Sequence, residues 1–448
     1  MGKNMTHMFT RSAAMAALSA VVLGWSGFSP AKAHDVQALG ATSCGQSTCH
    51  SASEPWPNSA VSQREYVVWK ERDPHAKSFQ TLQTPKAQRI ARDLGYSSAT
   101  SARLCLDCHT LNLDQKHREE TFNQAEGVTC EACHGPASSW IGVHQTGLYF
   151  YQRNVDEGMY PTTNPTARAE LCLSCHMGTS KKFVDHRMFV AGHPRLPFEL
   201  GFYTWFSEAT PGRHAGYSHF TVDDDYLQRK PWPFGVKVWS IGQAVQMRKF
   251  VELMTDPEVG QEGLFPEFAF FECHSCHNAT LDGKQADSRT GVPRINDANA
   301  YFVQLAARMV DKRLAGQLRS DINRVRAAAG GSWDGMRNAA RQLKRNLDVL
   351  VRKLEARKFT DRDTRYALNQ IAVAGRQGVF KGYYEAEQAV LAAGSLVDEL
   401  DKLEVLAPGR AIAAQKAISD GMRAFRSVDR HNASQVRAAL NKAAQLAN

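Results

Sequence analysis

The chain has 448 residues, of which 54 are lysine or arginine and 45 are aspartate or glutamate, so its formal net charge is +9. This length exceeds that of one ordinary core and predicts two domains. With 43% hydrophobic and 22% charged residues, the composition fits a soluble globular protein and excludes a fibrous or fully disordered chain.

Residues 1–33 have the pattern of an export signal. Lys3 and Arg11 provide a basic start, residues 13–28 are apolar, and Ala31-Lys32-Ala33 forms a small-x-small cleavage site. The apolar stretch is shorter than the roughly 20 residues of a membrane-spanning helix, although an uncleaved anchor is the alternative. We therefore expect a periplasmic protein with no transmembrane segment after signal cleavage, because no later stretch could span a bilayer.

All ten cysteines form close pairs, and a histidine directly follows each pair. The five motifs are Cys44/Cys49/His50, Cys105/Cys108/His109, Cys130/Cys133/His134, Cys172/Cys175/His176 and Cys273/Cys276/His277. This pattern predicts covalent haem c at each motif, because two thiols add to the vinyl groups of the porphyrin and the histidine binds the iron. The expected cofactors are five haems c with their iron.

Other chemistries explain the motifs less well. A zinc ribbon needs two cysteine pairs per metal, and five is an odd number. Disulfides and redox-active C-x-x-C pairs suit an exported protein, but neither explains the histidines. The first motif, CGQSTCH from Cys44, is ambiguous alone because four residues separate its cysteines, so haem attachment requires the extra residues to bulge outward.

Each haem iron has a second axial position, and the mature chain contains ten further histidines. By position, the best candidates are His75, His144, His186 and His193. These ten histidines are twice as many as the five second axial positions, so counting them does not show whether any iron is left open. No methionine stands in a sequence context that indicates an iron ligand, so we expect most irons to have two histidine ligands.

The chain divides by composition. Residues 34–280 carry the motifs and few long amphipathic runs, which predicts an irregular domain whose apolar mass comes from haem. Residues 281–299 predict a linker. Residues 300–448, which contain no cysteine, predict an antiparallel bundle of four or five helices without haem. The expected fold class is mainly α.

Helical signals are clear after residue 300. Apolar residues step by three and four along one stripe formed by Trp333, Met336, Ala340, Leu343, Leu347, Leu350 and Leu354. Gly330-Gly331 separates this helix from an earlier one, and Thr360 with Asp363 predicts a capping box. Pro408-Gly409 precedes another helix.

Charge is distributed unevenly along the mature chain. Residues 34–299 contain 25 basic and 30 acidic residues, whereas residues 300–448 contain 26 and 15. The basic excess predicts either a solvated face or docking onto the acidic haem-bearing half or an acidic partner. Nucleic acid is not an expected partner of an exported protein.

Several motifs together resemble those of a known family. They are CGQSTCH at Cys44, the segment from Trp69 to His75, CLDCH from Cys105, GVTCEACHGP from Gly127 with His144 after it, CLSCH from Cys172 and AGHP from Ala191. In order and in sequence they resemble the multihaem cytochrome c-554 family, whose relatives include hydroxylamine oxidoreductase and pentahaem nitrite reductase. The fifth motif and the bundle go beyond the family's tetrahaem pattern.

The resemblance implies electron transfer through closely stacked haems. It also implies that His144 lies opposite His50 on the first iron. The third iron, at His134, would take His75.

For the fourth iron, at His176, His193 and His186 compete. The second haem, at His109, corresponds to one that can be five-coordinate in the family. Pentahaem nitrite reductase usually has one C-x-x-C-Lys site, whereas all five motifs here end in histidine.

We therefore expect an electron carrier, without bond chemistry of its own, that connects periplasmic or membrane-bound redox proteins. The alternative is an oxidoreductase that acts on a small nitrogen or sulfur compound at one open haem, best at His109. A structural adaptor built on the basic bundle is a third reading. The oligomeric state is left open.

Overall fold

The computed structural model describes residues 36–54, 63–146, 151–205, 235–262, 265–273, 276, 293–427 and 430–448. The predicted export signal, His277 and most of the predicted linker lie outside these residues. The described part is mainly helical, which confirms the predicted fold class. None of its helices is long and apolar enough to cross a membrane.

Short helices dominate residues 36–205. They are α1 (Ala41–Cys44), α2 (Glu65–Arg72), α3 (Ser78–Leu82), α4 (Pro85–Asp93), α5 (Arg103–His109), α6 (Cys130–His134), α7 (Ile141–Gln145), α8 (Tyr151–Asp156), α9 (Pro165–His176), α10 (His186–Val190) and α11 (Leu200–Trp205). Prolines begin α4 and α9, where the side chains of Thr84 and Asn164 accept hydrogen bonds from free N–H groups of the first turn.

Before α9, the apolar side chains of this region form small clusters. One consists of Leu82, Ala91, Ala99 and Leu106, and another of Ala137, Trp140 and Met159. Clusters of three or four residues bury too little apolar surface to hold more than a hundred residues in place. This part of the chain therefore depends on something besides its own side chains.

Eight longer helices follow. They are α12 (Gly235–Thr255), α13 (Ala300–Val310), α14 (Lys312–Ala328), α15 (Trp333–Ala356), α16 (Asp361–Arg376), α17 (Tyr383–Lys402), α18 (Pro408–Met422) and α19 (Ala433–Ala447). The predicted stripe lies on α15, where every member after Trp333 is buried. The predicted capping box is also present, because Thr360 N donates to the Asp363 carboxylate at 2.9 Å.

Seven of these helices begin at or after residue 300 in the described chain, so the prediction of four or five was too low. Asp311 accounts for one additional helix. It takes an extended conformation that ends α13, and its carboxylate accepts hydrogen bonds from the N–H groups of Arg313 and Leu314, which starts α14.

Helix α12 is buried on nearly every side. Trp239 and Ile241 are fully buried, and Met247 is almost fully buried. The helix packs against α15, α9 and α17. One continuous core extends from Ala169 in α9 to Ala447 in α19. Helix α12 precedes the predicted linker but packs with the C-terminal helices, so the core does not divide at residues 281–299.

Three two-stranded antiparallel ladders complete the described structure. They pair β1 (Gly178–Thr179) with β2 (Lys182–Phe183), β3 (Gln261–Glu262) with β4 (Phe265–Pro266), and β5 (Phe425–Ser427) with β6 (Arg430–His431). The first ladder follows α9 directly. Gly178 has φ +120°, and a Cβ there would lie 2.7 Å from the Lys182 carbonyl oxygen, so this tight hairpin requires glycine.

Candidate haem centre

In the second, third and fourth motifs, the cysteines and the histidine lie on one helical turn. Helices α5, α6 and α9 end at His109, His134 and His176. Residues at positions i, i+3 and i+4 of a helix project from one face. The C-x-x-C-H spacing therefore presents two thiols and an imidazole together, as covalent haem attachment requires.

The first motif leaves its helix at Cys44. Residues 45–50 form a turn in which His50 N donates to the Cys44 carbonyl oxygen at 3.2 Å. A Cβ on Gly45 would lie 2.8 Å from the Tyr66 ring, so the turn approaches α2 too closely for a larger residue. The two additional residues of this motif are accommodated in that turn.

Cys49, the second cysteine of the first motif, lies in this turn and not on the helix that ends at Cys44. Its N–H donates to the Gln46 carbonyl oxygen at 2.9 Å, and its Sγ lies 3.8 Å from Thr48 Oγ1. The structure therefore does not place Cys49 on one helical face with Cys44 and His50, as it places the cysteines of the three C-x-x-C-H motifs. The difference arises because the two inserted residues replace a helical turn with a bulge. Attachment of Cys49 to a haem vinyl group stays a prediction.

Motifs that are distant in sequence lie side by side. The thiols of Cys44 and Cys130 are neighbours, and so are those of Cys108 and Cys175. Contact with Cys130 lowers the pKa of Cys44, and contact with Cys108 lowers the pKa of Cys175 to about 5. The first motif therefore adjoins the third, and the second adjoins the fourth.

The third and fourth motifs also lie near each other. Burial raises the pKa of the Cys133 thiol to about 12, and repulsion from Cys172 and Cys175 adds to that rise. The four motifs thus lie in the spatial order first, third, fourth, second.

Two pairs of imidazoles face each other across the motifs. The ring centres of His50 and His144 lie 5.9 Å apart with their planes at 17°. Those of His75 and His176 lie 6.2 Å apart with their planes at 87°. Two ring nitrogens that each lie about 2 Å from one metal ion place their ring centres roughly 6 Å apart. Both pairs therefore have the spacing of two axial ligands of one iron.

The remaining two candidates lie near other motifs. Burial lowers the pKa of His193, and repulsion from His109 contributes, so His193 lies in the same region as His109. The ring of His186 packs against that of Phe268, with centres 5.5 Å apart. Phe268 lies five residues before Cys273, in the segment that leads to the fifth motif.

Hydrogen bonds at Nδ1 fix the orientation of several of these rings. The pairs are His50 with Glu65 Oε2 at 2.7 Å, His75 with Asp73 Oδ1 at 2.9 Å, His109 with the Ser78 carbonyl oxygen at 3.0 Å, and His193 with the Pro194 carbonyl oxygen at 2.7 Å. A histidine that donates from Nδ1 keeps Nε2 available to a metal. This is the arrangement expected of iron ligands.

The carboxylates also change the basicity of their imidazoles. Hydrogen bonding to Glu65 raises the pKa of His50, and hydrogen bonding to Asp73 raises that of His75. Burial has the opposite effect on His176, whose pKa falls to about 4, with repulsion from His75 contributing. One ring of this pair is therefore held as a strong electron donor and the other as a neutral imidazole.

Glu131 connects the first and third motifs. It lies inside the third motif and is 2% exposed. Its carboxylate accepts hydrogen bonds from Leu39 N at 2.9 Å, Gly40 N at 2.8 Å and Ala137 N at 2.7 Å. The segment that leads into Cys44 is thereby fixed against α6.

The fifth motif lies beside α17. Cys273 and Cys276 are exposed, and Cys273 Sγ lies 3.4 Å from Tyr384 Oη. The guanidinium of Arg195 lies 4.0 Å from the centre of the Tyr384 ring. The motif's histidine, His277, lies outside the described residues.

Two placements differ from the pairing that the family resemblance implied. His75 lies beside His176 of the fourth motif, whereas the resemblance placed it opposite His134. His193 lies near His109, where the resemblance implied an open position. The first difference follows from the proximity of the third and fourth motifs, and the second from the proximity of the second and fourth.

Sequence patterns did not single out the side chains that orient these rings. Glu65 opens a helix and Asp73 precedes a proline, which are ordinary positions for acidic residues. Asp73 had a local signal, because an acidic residue two positions before a histidine can reach its Nδ1. Glu65 had none, since its contact with His50 depends on the fold.

Residues 43–135 match the family model for cytochrome c554 and c-prime. The matched segment contains the first three motifs. No curated protein and no solved structure matches the chain. Similarity to this family indicates a c-type cytochrome that binds haem and iron covalently and exchanges electrons with redox proteins.

Proposed function

We propose that this chain, which resembles a c-type cytochrome over residues 43–135, is a periplasmic electron carrier with five covalent haems c. The observation that carries the proposal is the pair of imidazole couples, His50 with His144 and His75 with His176. An iron with two imidazole ligands has no position for a substrate, so it exchanges electrons without bond chemistry. A bound haem supplies a one-electron centre at each motif.

The proposed ligands follow from these positions. The cysteines of each motif hold one porphyrin, and the motif histidines, His277 included, bind the irons. His144 completes the first site, His75 the fourth and His193 the second. His186 is the candidate for the fifth, because it packs beside the segment leading to Cys273.

Contacts between motifs define a route for electrons. The first motif adjoins the third, the third adjoins the fourth, and the fourth adjoins the second. Haems held at adjoining motifs would lie close together, which favours single-electron steps along this series. An acidic redox protein is the proposed partner at the basic C-terminal half, where α14 exposes Lys312, Arg313 and Arg319 and buries its one acid, Asp321.

Electron paramagnetic resonance of the oxidised holoprotein tests the proposal against the enzyme alternative. We expect five haems per chain and low-spin ferric signals from the first, second, fourth and fifth sites, each of which has two proposed histidine ligands; no second histidine is proposed for the iron at His134. His193→Ala should convert one haem to a high-spin form, because it removes the sixth ligand at the second site. His117→Ala, which removes another histidine bonded through Nδ1 to a carbonyl oxygen, serves as the matched control and should leave the spectrum unchanged.

A high-spin ferric signal in the unaltered protein that changes with nitric oxide or hydroxylamine would support the oxidoreductase instead. A haem-to-protein ratio of four would contradict haem attachment at one motif, and the first motif, where Cys49 lies off the helix, would be examined first.

A further inference from the structure

A lysine lies at the junction of the second and fourth motifs. Lys182 Nζ lies 3.0 Å from Cys175 Sγ, in the fourth motif, and donates to the Asp107 carbonyl oxygen at 3.0 Å. Asp107 lies between the two cysteines of the second motif. The ammonium group therefore touches both motifs at the point where they meet.

The backbone holds this lysine in place. Lys182 pairs with Thr179 in the β1–β2 hairpin, and its N–H donates to Thr179 Oγ1 at 3.3 Å. Its side chain is half-buried, whereas that of the preceding Lys181 is exposed. The two lysines share one hairpin, but only Lys182 reaches the motifs in the contacts described above.

We propose that Lys182 sets the reduction potential of the haems at the second and fourth motifs. The inference rests on the proposed haem attachment. It adds that the haems at these two sites differ from the others in reduction potential. Lysine is a cation at neutral pH. Ferric haem carries one more positive charge than ferrous haem, so a fixed cation beside it disfavours the oxidised form and raises the potential.

Other charges near the second and fourth sites also act on the potentials of the two haems. The Asp107 carboxylate accepts a hydrogen bond from Asn112 and lies 3.6 Å from the Arg103 guanidinium, so its negative charge is partly compensated. At the fourth site, the Asp73 carboxylate acts on His75 in the opposite sense to Lys182. We therefore expect the higher resulting potential at the second site.

Electrons entering at the first motif would then move towards the second. The first site has the Glu65 carboxylate on its motif histidine, which stabilises the ferric state. Lys182 stabilises the ferrous state at the other end of the series. The two charges together would give the route a direction.

Redox titration of the holoprotein, followed by visible and electron paramagnetic resonance spectra, tests this role. Lys182→Gln removes the charge and keeps a donor for the Asp107 carbonyl, and Lys182→Met serves as a second neutral variant. In both we expect the equilibrium constant for reduction of one or two haems to fall by about tenfold, which is ~59 mV for a one-electron couple. Lys182→Arg and the matched control Lys181→Gln should titrate as the parent does.

Haem content is measured on every variant, so that failure of the proposed haem binding can be told apart from failure of the proposed role of Lys182. If the parent lacks covalent haem, the proposed function fails and this role fails with it. If haem is bound but neutral variants titrate as the parent, only the role of Lys182 is refuted. A shift in Lys181→Gln or Lys182→Arg equal to that in Lys182→Gln, or an equal shift in all haems, would also refute it.

Discussion

The partner of Nδ1 distinguishes one histidine of this centre from another. His50 and His75 bond carboxylates, whereas His109 and His193 bond backbone carbonyl oxygens. A carboxylate makes the imidazole a stronger donor to iron than a carbonyl does, and this stabilises the ferric state. The second site, with carbonyl partners on both rings, is thus expected to have a higher potential than the first.

Glu65→Gln should raise the potential of one haem, because the amide brings no negative charge to His50. We expect the equilibrium constant for reduction of that haem to rise by about tenfold. Redox titration of the holoprotein measures it. Glu71→Gln, an exposed glutamate on the same helix, is the control, and equal titrations of the two variants would show that Glu65 does not act on the iron.

Among the helices, α12 is held at its first turn by a carboxylate from α17. Glu399 Oε2 accepts hydrogen bonds from Val236 N at 2.7 Å and from Thr364 Oγ1 in α16 at 2.8 Å. Burial raises the pKa of Glu399 to about 8. A single side chain thereby joins three helices, and it does so in an environment that favours its protonated form.

The raised pKa predicts a pH-dependent stability. Between about pH 5 and 8 the unfolded chain has lost the Glu399 proton and the folded chain retains it, so the free energy of unfolding falls as pH rises. Glu399→Gln should flatten this dependence, measured by denaturant unfolding at several pH values. Burial also raises the pKa of Glu199 to about 7, so part of the slope should remain.

Glu404→Gln, an exposed glutamate just beyond the end of α17, is the control and should keep the parent's pH dependence. A parent protein whose stability is constant from pH 5 to 8 would contradict an ionisable Glu399 with a raised pKa.

At the scale of the whole molecule, the C-terminal helices and the motif-bearing half share one core. Leu173, directly after the first cysteine of the fourth motif, lies in the same core as the side chains of α15 and α19. Helix α12 is the central member, because α9, α15 and α17 all pack against it. The C-terminal helices thus support the fourth motif directly.

Truncation tests this dependence. A chain that lacks residues 300–448 would expose the buried faces of α12 and α9, so we expect it to aggregate or to lose haem at the fourth motif. Haem content and light scattering measure the outcome. Production of residues 300–448 alongside the truncated chain should restore both, whereas a truncated chain that keeps the parent's haem content and solubility would show that the two halves fold independently.

The sequence correctly predicted features that depend on residues close together in the chain. The stripe of α15 and the capping box at Thr360 depend on residues three or four positions apart, and both are present. The sequence did not reveal α12 as a core helix, because a helix buried on all sides has no polar face and therefore no stripe. Nor did it place His75 beside His176, since that contact depends on how two distant motifs pack.

The bond between Glu131 and the segment before Cys44 also bears on how the protein is made. If the chain is exported from its N-terminus, as proposed, the first cysteines emerge while residue 131 is still behind the membrane. The N–H groups of Leu39 and Gly40 have no carboxylate to bond at that moment. A haem joined to the first motif at this stage would be joined to an unfolded segment, and its surroundings would be assembled afterwards around the cofactor.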